Sequence, residues 1–285
     1  MISEKQFDKE IDLIIANAIR EDVGEGDHSS LACIPEDAMG KAKLLVKDTG
    51  IIAGIDFAKQ VFNFVDPGLR LDLKFEDGDA VKYGDVCFYV SGLSQSILKS
   101  ERLVLNAMQR MSAIATKTNE FVKLLEGSGT KILDTRKTTP GVRALEKWAV
   151  KIGGGENHRF GLYDMVMLKD NHIDFCGGIT KAIETTKSYL KSRKLDLKII
   201  IEARNLNEIE EILKSKGVYR ILIDNFNYED TCLAVKLIGD SCLTESSGGI
   251  TFDTARKYAD CGVDYISSGA LTHSVYNLDL SLKAV

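Results

Sequence analysis

The sequence predicts an α/β protein with an N-terminal α+β domain followed by a C-terminal α/β barrel of about six to seven strands. Three observations carry this reading. Short apolar runs recur through the second half, at 131–134, 165–169, 198–202, 220–224, 241–245 and 264–267, each separated from the next by enough chain for a helix. Their polar ends are evenly placed: 22 positions separate Glu202 from Asp224, Asp224 from Ser246, and Ser246 from Ser268. A strand, a short helix and two loops fill about that length in a tightly wound barrel, here an incomplete one of TIM type. The third observation is a long apolar-periodic stretch, 100–125, lying between these repeats and a mixed first part.

Along the chain, residues 4–20 place Phe7, Ile11, Ile14, Ile15 and Ala18 on one helical face, and the pattern stops before a polar, glycine-containing loop at 21–27. Residues 41–47, 69–75 and 86–90 alternate or run apolar over strand lengths, whereas 55–65 has a helical period. In the stretch 100–125, Leu103, Met108, Met111, Ile114, Ala115 and Phe121 supply the apolar positions of a helix long enough to join two domains. The expected division is therefore 1–112 for the N-terminal domain, 113–270 for the barrel, and 271–285 for a segment packing back on the first domain.

Composition limits the function. With 44% hydrophobic and 28% charged residues and only 3 prolines in 285, the chain is neither disordered nor fibrous. A net charge of −5 argues against wrapping nucleic acid, no apolar run reaches the roughly 20 residues that span a bilayer, and the N-terminus reads as no secretory signal. A cytoplasmic protein with neither nucleic-acid nor membrane partners is the expectation. The six cysteines, Cys33, Cys87, Cys176, Cys232, Cys242 and Cys261, form no C-x-x-C pair and read as reduced thiols.

In such barrels chemistry sits at the C-terminal mouth of the strands. Here those ends carry Arg136, Lys137, Lys169, Glu202, Asp224, the Ser247-Gly248-Gly249 turn and the Ser268-Gly269-Ala270 turn. Between positions 136 and 159, six cations face two carboxylates, a local charge of +4 in an acidic chain, so an anionic small ligand is expected. Arg143, Lys147 and Lys151 are spaced as the solvated face of a helix opened by Pro140. Arg136, Lys137, His158 and Arg159 are the better ligands, because guanidinium forks bind carboxylates and phosphates bidentately. Gly153-Gly154-Gly155 suits a mobile loop or close backbone approach to a ligand. The serine-glycine turns expose backbone N–H groups suited to phosphate, and Glu202 and Asp224 could accept from sugar hydroxyls or hold Mg2+.

The blocks DTRKTTPGVR (134–143), EKWAV (146–150), GGGENHR (153–159) and LKDNH (168–172) together resemble quinolinate phosphoribosyltransferases, also called nicotinate-nucleotide pyrophosphorylases (carboxylating). The likeness continues in EDVGEGD (21–27), ERLVLN (101–106) and SGALTHS (268–274), so it covers nearly the whole chain. It implies a cytosolic enzyme of NAD biosynthesis that converts quinolinate and phosphoribosyl pyrophosphate (PRPP) to nicotinate mononucleotide, CO2 and pyrophosphate with Mg2+. By the same resemblance, Thr135, Arg136, Lys137, His158, Arg159 and Lys169 surround the quinolinate carboxylates and the pyrophosphate. Arg102 reaches the site from a neighbouring subunit, which implies a homo-oligomer with shared sites, a dimer or a hexamer. Glu202 and Asp224 match positions facing the ribose hydroxyls and the metal, which is held partly through substrate phosphates. Ser247, Gly248 and Gly249, with Ser268, Gly269 and Ala270, match the 5′-phosphate site, and His273 is a weaker contact. Lys137, Glu202 and Asp224 are the residues expected to act in catalysis. A non-catalytic phosphate sensor would keep the serine-glycine turns and could lose the carboxylate-binding cations, all of which are present.

Overall fold

The computed structural model describes residues 2–285. In chain order the elements begin α1 (Glu4–Val23), α2 (His28–Cys33), β1 (Met39–Val46), β2 (Gly50–Ile51), α3 (Ile55–Val65), β3 (Arg70–Leu73), β4 (Ala80–Val81), β5 (Val86–Leu93) and α4 (Ser94–Leu124). There follow β6 (Lys131–Leu133), α5 (Arg143–Ile152), β7 (Val166–Leu168), α6 (Asp170–Cys176), α7 (Ile179–Arg193), β8 (Ile199–Ala203), α8 (Leu206–Leu213), β9 (Arg220–Asp224) and α9 (Tyr228–Ile238). The chain ends with β10 (Leu243–Ser247), α10 (Phe252–Asp260), β11 (Tyr265–Ser267), α11 (Ala270–His273) and β12 (Leu280–Ala284). No helix is long and apolar enough to cross a membrane among the described residues.

Two compact units form, and neither is one continuous stretch. The first gathers Ser3–Asn119, Thr138–Gly154 and Leu271–Val285; the second is mainly Glu120–Lys137 and Gly155–Ala270. The sequence reading left 138–154 in the barrel. The structure groups it instead with the N-terminal elements, because α5 packs on α1, where Phe7 meets Trp148 edge-on at 5.4 Å.

The first unit is built on an antiparallel sheet in the order β12-β1-β5-β3. Period-two alternation on β1 buries Ala42, Leu44 and Val46, while α3 contributes Phe57 and Phe62, the latter edge-on to Phe88 of β5. The C-terminal strand β12 completes this sheet by pairing with β1, Leu282 opposite Leu44. Two expectations about α5 fail here. Pro140 lies in the turn ahead of the helix, which starts at Arg143. Lys147, expected on a solvated face, is 2% exposed, because the same helix face that carries it also buries Ala144 and Val150. Glu146 beside it is fully buried and receives Nε and Nη2 of Arg110 at 3.0 and 2.8 Å. The triglycine has a packing explanation too: a Cβ on Gly153 would overlap the Ala115 carbonyl and Thr118 of α4, so close helix approach requires glycine there.

The second unit is the barrel. Six strands pair in parallel in the order β6-β11-β10-β9-β8-β7, and no ladder joins β6 to β7 among the described residues, so the barrel is incomplete. A single bridge between Leu133 and Glu156 is what remains of a further strand. β8 is buried throughout its length, as expected of a parallel strand covered on both faces. The helices between strands start where short polar side chains cap them: Asn205 accepts from the Glu208 N–H ahead of α8, and Asn227 from the Asp230 N–H ahead of α9. The structure also corrects the thiol reading, since Cys232 of α9 and Cys261 after α10 are joined as a disulfide. Adjacent packing of these helices, not sequence spacing, brings the two cysteines together.

Candidate active site

Strand alternation sorts the barrel interior into layers. Ser247 of β10 pairs in register with Asp224 of β9, and two residues earlier along β9 Leu222 pairs with Glu202 of β8, so Asp224, Ser247 and Glu202 belong to successive same-face positions near these strand ends. β10 runs two residues further than its apolar run suggested. Glu245 is therefore within the strand rather than at its end, and Ser246 and Ser247 close the strand.

Glu202, 5% exposed, lies 3.7 Å from Lys169 Nζ. Burial, and then the neighbouring charge of Asp224, push the Glu202 carboxyl up from its ordinary value, while Lys169 acts in the opposite direction. Two carboxylates side by side need cations or hydroxyl donors between them. No group of three or more His, Cys, Asp or Glu is arranged to hold a metal alone among the described residues. The pair thus fits an ion that takes most of its ligands from substrate oxygens, as Mg2+ does at phosphates.

The loops after β9 and β10 interlock. Asn225 sits at φ 58°, its N–H donating to the Ser247 carbonyl at 2.9 Å and its amide to Asp224 at 2.6 Å. Gly248, at φ +94°, leaves no room for a Cβ, which would run into the side chain and backbone N of Asn225. Gly249 continues the turn at φ +60°, so the Ser247-Gly248-Gly249 backbone is bent into a concave run of the kind that receives phosphate. Ser268 is different: its N–H donates to the Leu133 carbonyl at 3.1 Å and its hydroxyl to the Ile250 carbonyl at 3.4 Å. It is 4% exposed and fastens β11 to its neighbours.

The cations form the other side of the mouth. Arg136 and Lys137 are exposed after β6, where the Thr135 hydroxyl accepts the Lys137 N–H at 3.0 Å and shapes the turn. Arg159 is 7% exposed, and its Nη1 donates to the Met165 carbonyl at 3.2 Å. Burial and then the charge of nearby Arg136 hold this guanidinium below its usual value. Two neighbouring guanidinium groups repel until an anion joins them, and a carboxylate does so with bidentate geometry.

His158 is placed otherwise than the sequence suggested. Its Nδ1 accepts the Arg159 N–H at 2.6 Å, and its Nε2 lies 3.3 Å from Oε2 of Glu245. Its backbone N–H donates to Asp134 Oδ1 at 2.9 Å, and Asn157 donates to Asp134 Oδ2 at 2.6 Å. Both ring nitrogens thus face protein groups, Nδ1 the Arg159 N–H and Nε2 the Glu245 carboxylate. Sequence reasoning assigned no role to Asp134, Glu245 or Arg220, the charged groups that surround His158; the one available signal was a charged residue inside an apolar strand run, at Arg220 and Glu245. Lys169 heads α6, and its N–H donates to His172 Nδ1 at 3.1 Å, which gives the LKDNH block a local structural role.

Arg102 and His273 belong to the first unit. Arg102 is exposed on α4, and His273 ends α11 with Nδ1 2.7 Å from the Ser274 hydroxyl.

Residues 114–283 match the C-terminal domain model of quinolinate phosphoribosyl transferase, and 27–112 match the N-terminal domain model. The chain belongs to the quinolinate phosphoribosyltransferase family. It is 45% identical over 285 residues to quinolinate phosphoribosyltransferase [decarboxylating] 1b of Nicotiana tabacum, covering 95% of this chain and 81% of that one. Nicotinate-nucleotide pyrophosphorylase [carboxylating], chloroplastic, of Arabidopsis thaliana is 44% identical over 287 residues, with 95% and 81% covered. Among solved structures, the nicotinate-nucleotide pyrophosphorylase of Francisella tularensis superposes with a TM-score of 0.90 at 35% identity, covering 97% of this chain and 96% of that one. The quinolinate phosphoribosyltransferase fold, with its N-terminal α+β part and incomplete α/β barrel, is thus shared along the full chain.

Proposed function

We infer that this member of the family transfers the phosphoribosyl group of PRPP to quinolinate with decarboxylation, giving nicotinate mononucleotide, CO2 and pyrophosphate. The observation that carries the reading is the pairing of Arg136 with Arg159 at the same barrel unit's mouth as Glu202 and Asp224. A dicarboxylate substrate meets the guanidinium pair, and a positively charged ribose meets the carboxylate pair.

In the mechanism, Arg136 and Arg159 hold the quinolinate carboxylates, with His158 fixing the Arg159 backbone. Lys137 and Lys169 face the departing pyrophosphate. As the C–O bond to pyrophosphate breaks, positive charge grows on the ribose, and Glu202 and Asp224 stabilise it electrostatically without forming a covalent bond. The 5′-phosphate sits on the turn formed by Ser247, Gly248 and Gly249, with Gly269 and Ala270 opposite. Mg2+ would be held by Glu202 and Asp224 with PRPP oxygens and would supply further positive charge to the pyrophosphate. Once the pyridine nitrogen has bonded to ribose, the ring carries positive charge, which stabilises the electron pair left on the ring carbon by departing CO2 until that carbon takes up a proton from water. The protein's contribution is alignment and exclusion of water. The exposed Arg102 acts in the site of a neighbouring copy within a homo-oligomer, and His273 is a further contact. The compartment we assign is the cytoplasm.

The test is direct: purified protein with quinolinate, PRPP and Mg2+ should release nicotinate mononucleotide and CO2. Turnover of nicotinate or another ring acid, with none of quinolinate, overturns the substrate assignment.

A further inference from the structure

One charge inside the barrel has no part in the chemistry as described. Glu245 is fully buried, with Oε2 2.7 Å from Nη1 of Arg220 and 3.3 Å from Nε2 of His158. Arg220 is itself buried and lies over the ring of Tyr265, 4.0 Å from its centroid. Burial alone would neutralise the carboxyl; contact with His158 and Arg220 outweighs that and holds it at about 2, against an ordinary 4.5.

Stability does not account for this arrangement. In register with Glu245 stand Leu222 and Tyr265, and Ile200 and Ile201 are buried on β8, the strand beside Arg220 of β9. An apolar residue in place of a buried ion pair is often neutral or stabilising. The network is also incompletely satisfied: Oε1 of Glu245 and Nε of Arg220 find no hydrogen-bond partner among the described residues.

The geometry gives the charge another use. Because Nδ1 of His158 accepts the Arg159 N–H, the ring proton belongs on Nε2, and Nε2 faces the Glu245 carboxylate. Moving that proton to Nδ1 would set it against the Arg159 N–H and break the 2.6 Å bond. Among the described residues the Arg159 guanidinium donates to the Met165 carbonyl at 3.2 Å, with Asp164 attracting it and Arg136 repelling it, so its direction depends also on where its backbone is held. We propose that Glu245 is a positioning residue for the reaction: it fixes the Nε2–H tautomer of His158, and through that ring it aims Arg159 at the pyridine dicarboxylate. The proposal rests on the reading of quinolinate as substrate.

Three measurements test it. Imidazole 15N spectra of the wild-type protein should show His158 as the Nε2–H tautomer; an Nδ1–H ring overturns the proposal whatever the substrate is. Glu245→Gln should raise KM for quinolinate by about tenfold, the scale of one hydrogen bond to a charged group, and leave KM for PRPP within about twofold of wild type. Unchanged quinolinate KM in the folded variant overturns it, as does an equal rise in both KM values. Should Glu245→Gln not fold, Glu245→Leu with Arg220→Met removes both buried charges together and must show the same selective KM defect; a normal quinolinate KM there overturns the proposal. Wild-type protein that fails to turn over quinolinate refutes the substrate reading instead, and the tautomer measurement still decides the geometry.

Discussion

At the scale of single residues, the site is a balance of like charges brought close. Burial and the charge of Arg136 both act against the Arg159 guanidinium, a repulsion that a dicarboxylate held between them, as proposed, would relieve. Arg136→Ala should therefore cut turnover at least ~100-fold, the scale of losing one preorganised charge stabiliser, in a steady-state assay; near-wild-type rates would remove Arg136 from the site. Glu202 gives a pH signature. Its folded carboxyl is raised by burial and Asp224, so across the window between the ordinary and the raised value the native state binds more protons than the unfolded chain. Stability then falls as pH rises through that window, and turnover rises, because the ionised form is the one that stabilises positive ribose. Thermal melts of Glu202→Gln should lack that fall; identical pH slopes for variant and wild type would show that Glu202 is not the group responsible. The strand-end cations and carboxylates were legible because each follows an apolar run. The His158 environment was not, since its partner Glu245 lies far along the chain and only barrel closure brings them together.

At the scale of elements, strand periodicity located every barrel strand but not the length of β10, because Ser246 and Ser247 are polar residues inside the ladder. Helix spacing likewise placed Lys147 on the correct helix and on the wrong face: which face of α5 is covered depends on its neighbours, not on its own charges. The disulfide between Cys232 and Cys261 was invisible for the same reason, their separation of 29 residues matching no local motif. The turn after β10 is the element where local geometry bears most directly on the proposed phosphate site. Gly248→Ala places a methyl against Asn225 at a positive φ, a strain of about 1–3 kcal/mol. The expected outcome is a lower urea midpoint and a raised KM for PRPP with quinolinate KM little changed. A variant as stable as wild type with unaltered PRPP kinetics would separate this turn from the phosphate.

At the scale of the whole molecule, the resemblance named a family, whereas the interleaving of chain segments became visible only in three dimensions. Residues 138–154 and 271–285 both return to the N-terminal unit, the first through helix packing and the second through a β-ladder. The same chain places Arg102 on an exposed stretch of α4. If that arginine serves the site of a neighbouring copy, Arg102→Ala and Arg136→Ala damage different halves of one shared site. Each variant alone should be inactive. In an equal, randomly reassorted mixture, a subunit carrying Arg102→Ala keeps its own Arg136 and meets an intact Arg102 whenever its neighbour is the other variant. That holds for about a quarter of all sites when each site draws on one neighbour, whether the closed assembly is a dimer or a hexamer of dimers. Activity near one quarter of wild type after mixing and reassortment is the expected result. Activity no greater than the sum of the separate variants, in a mixture shown by mass to contain hybrids, would place Arg102 in its own subunit's site or outside the site altogether.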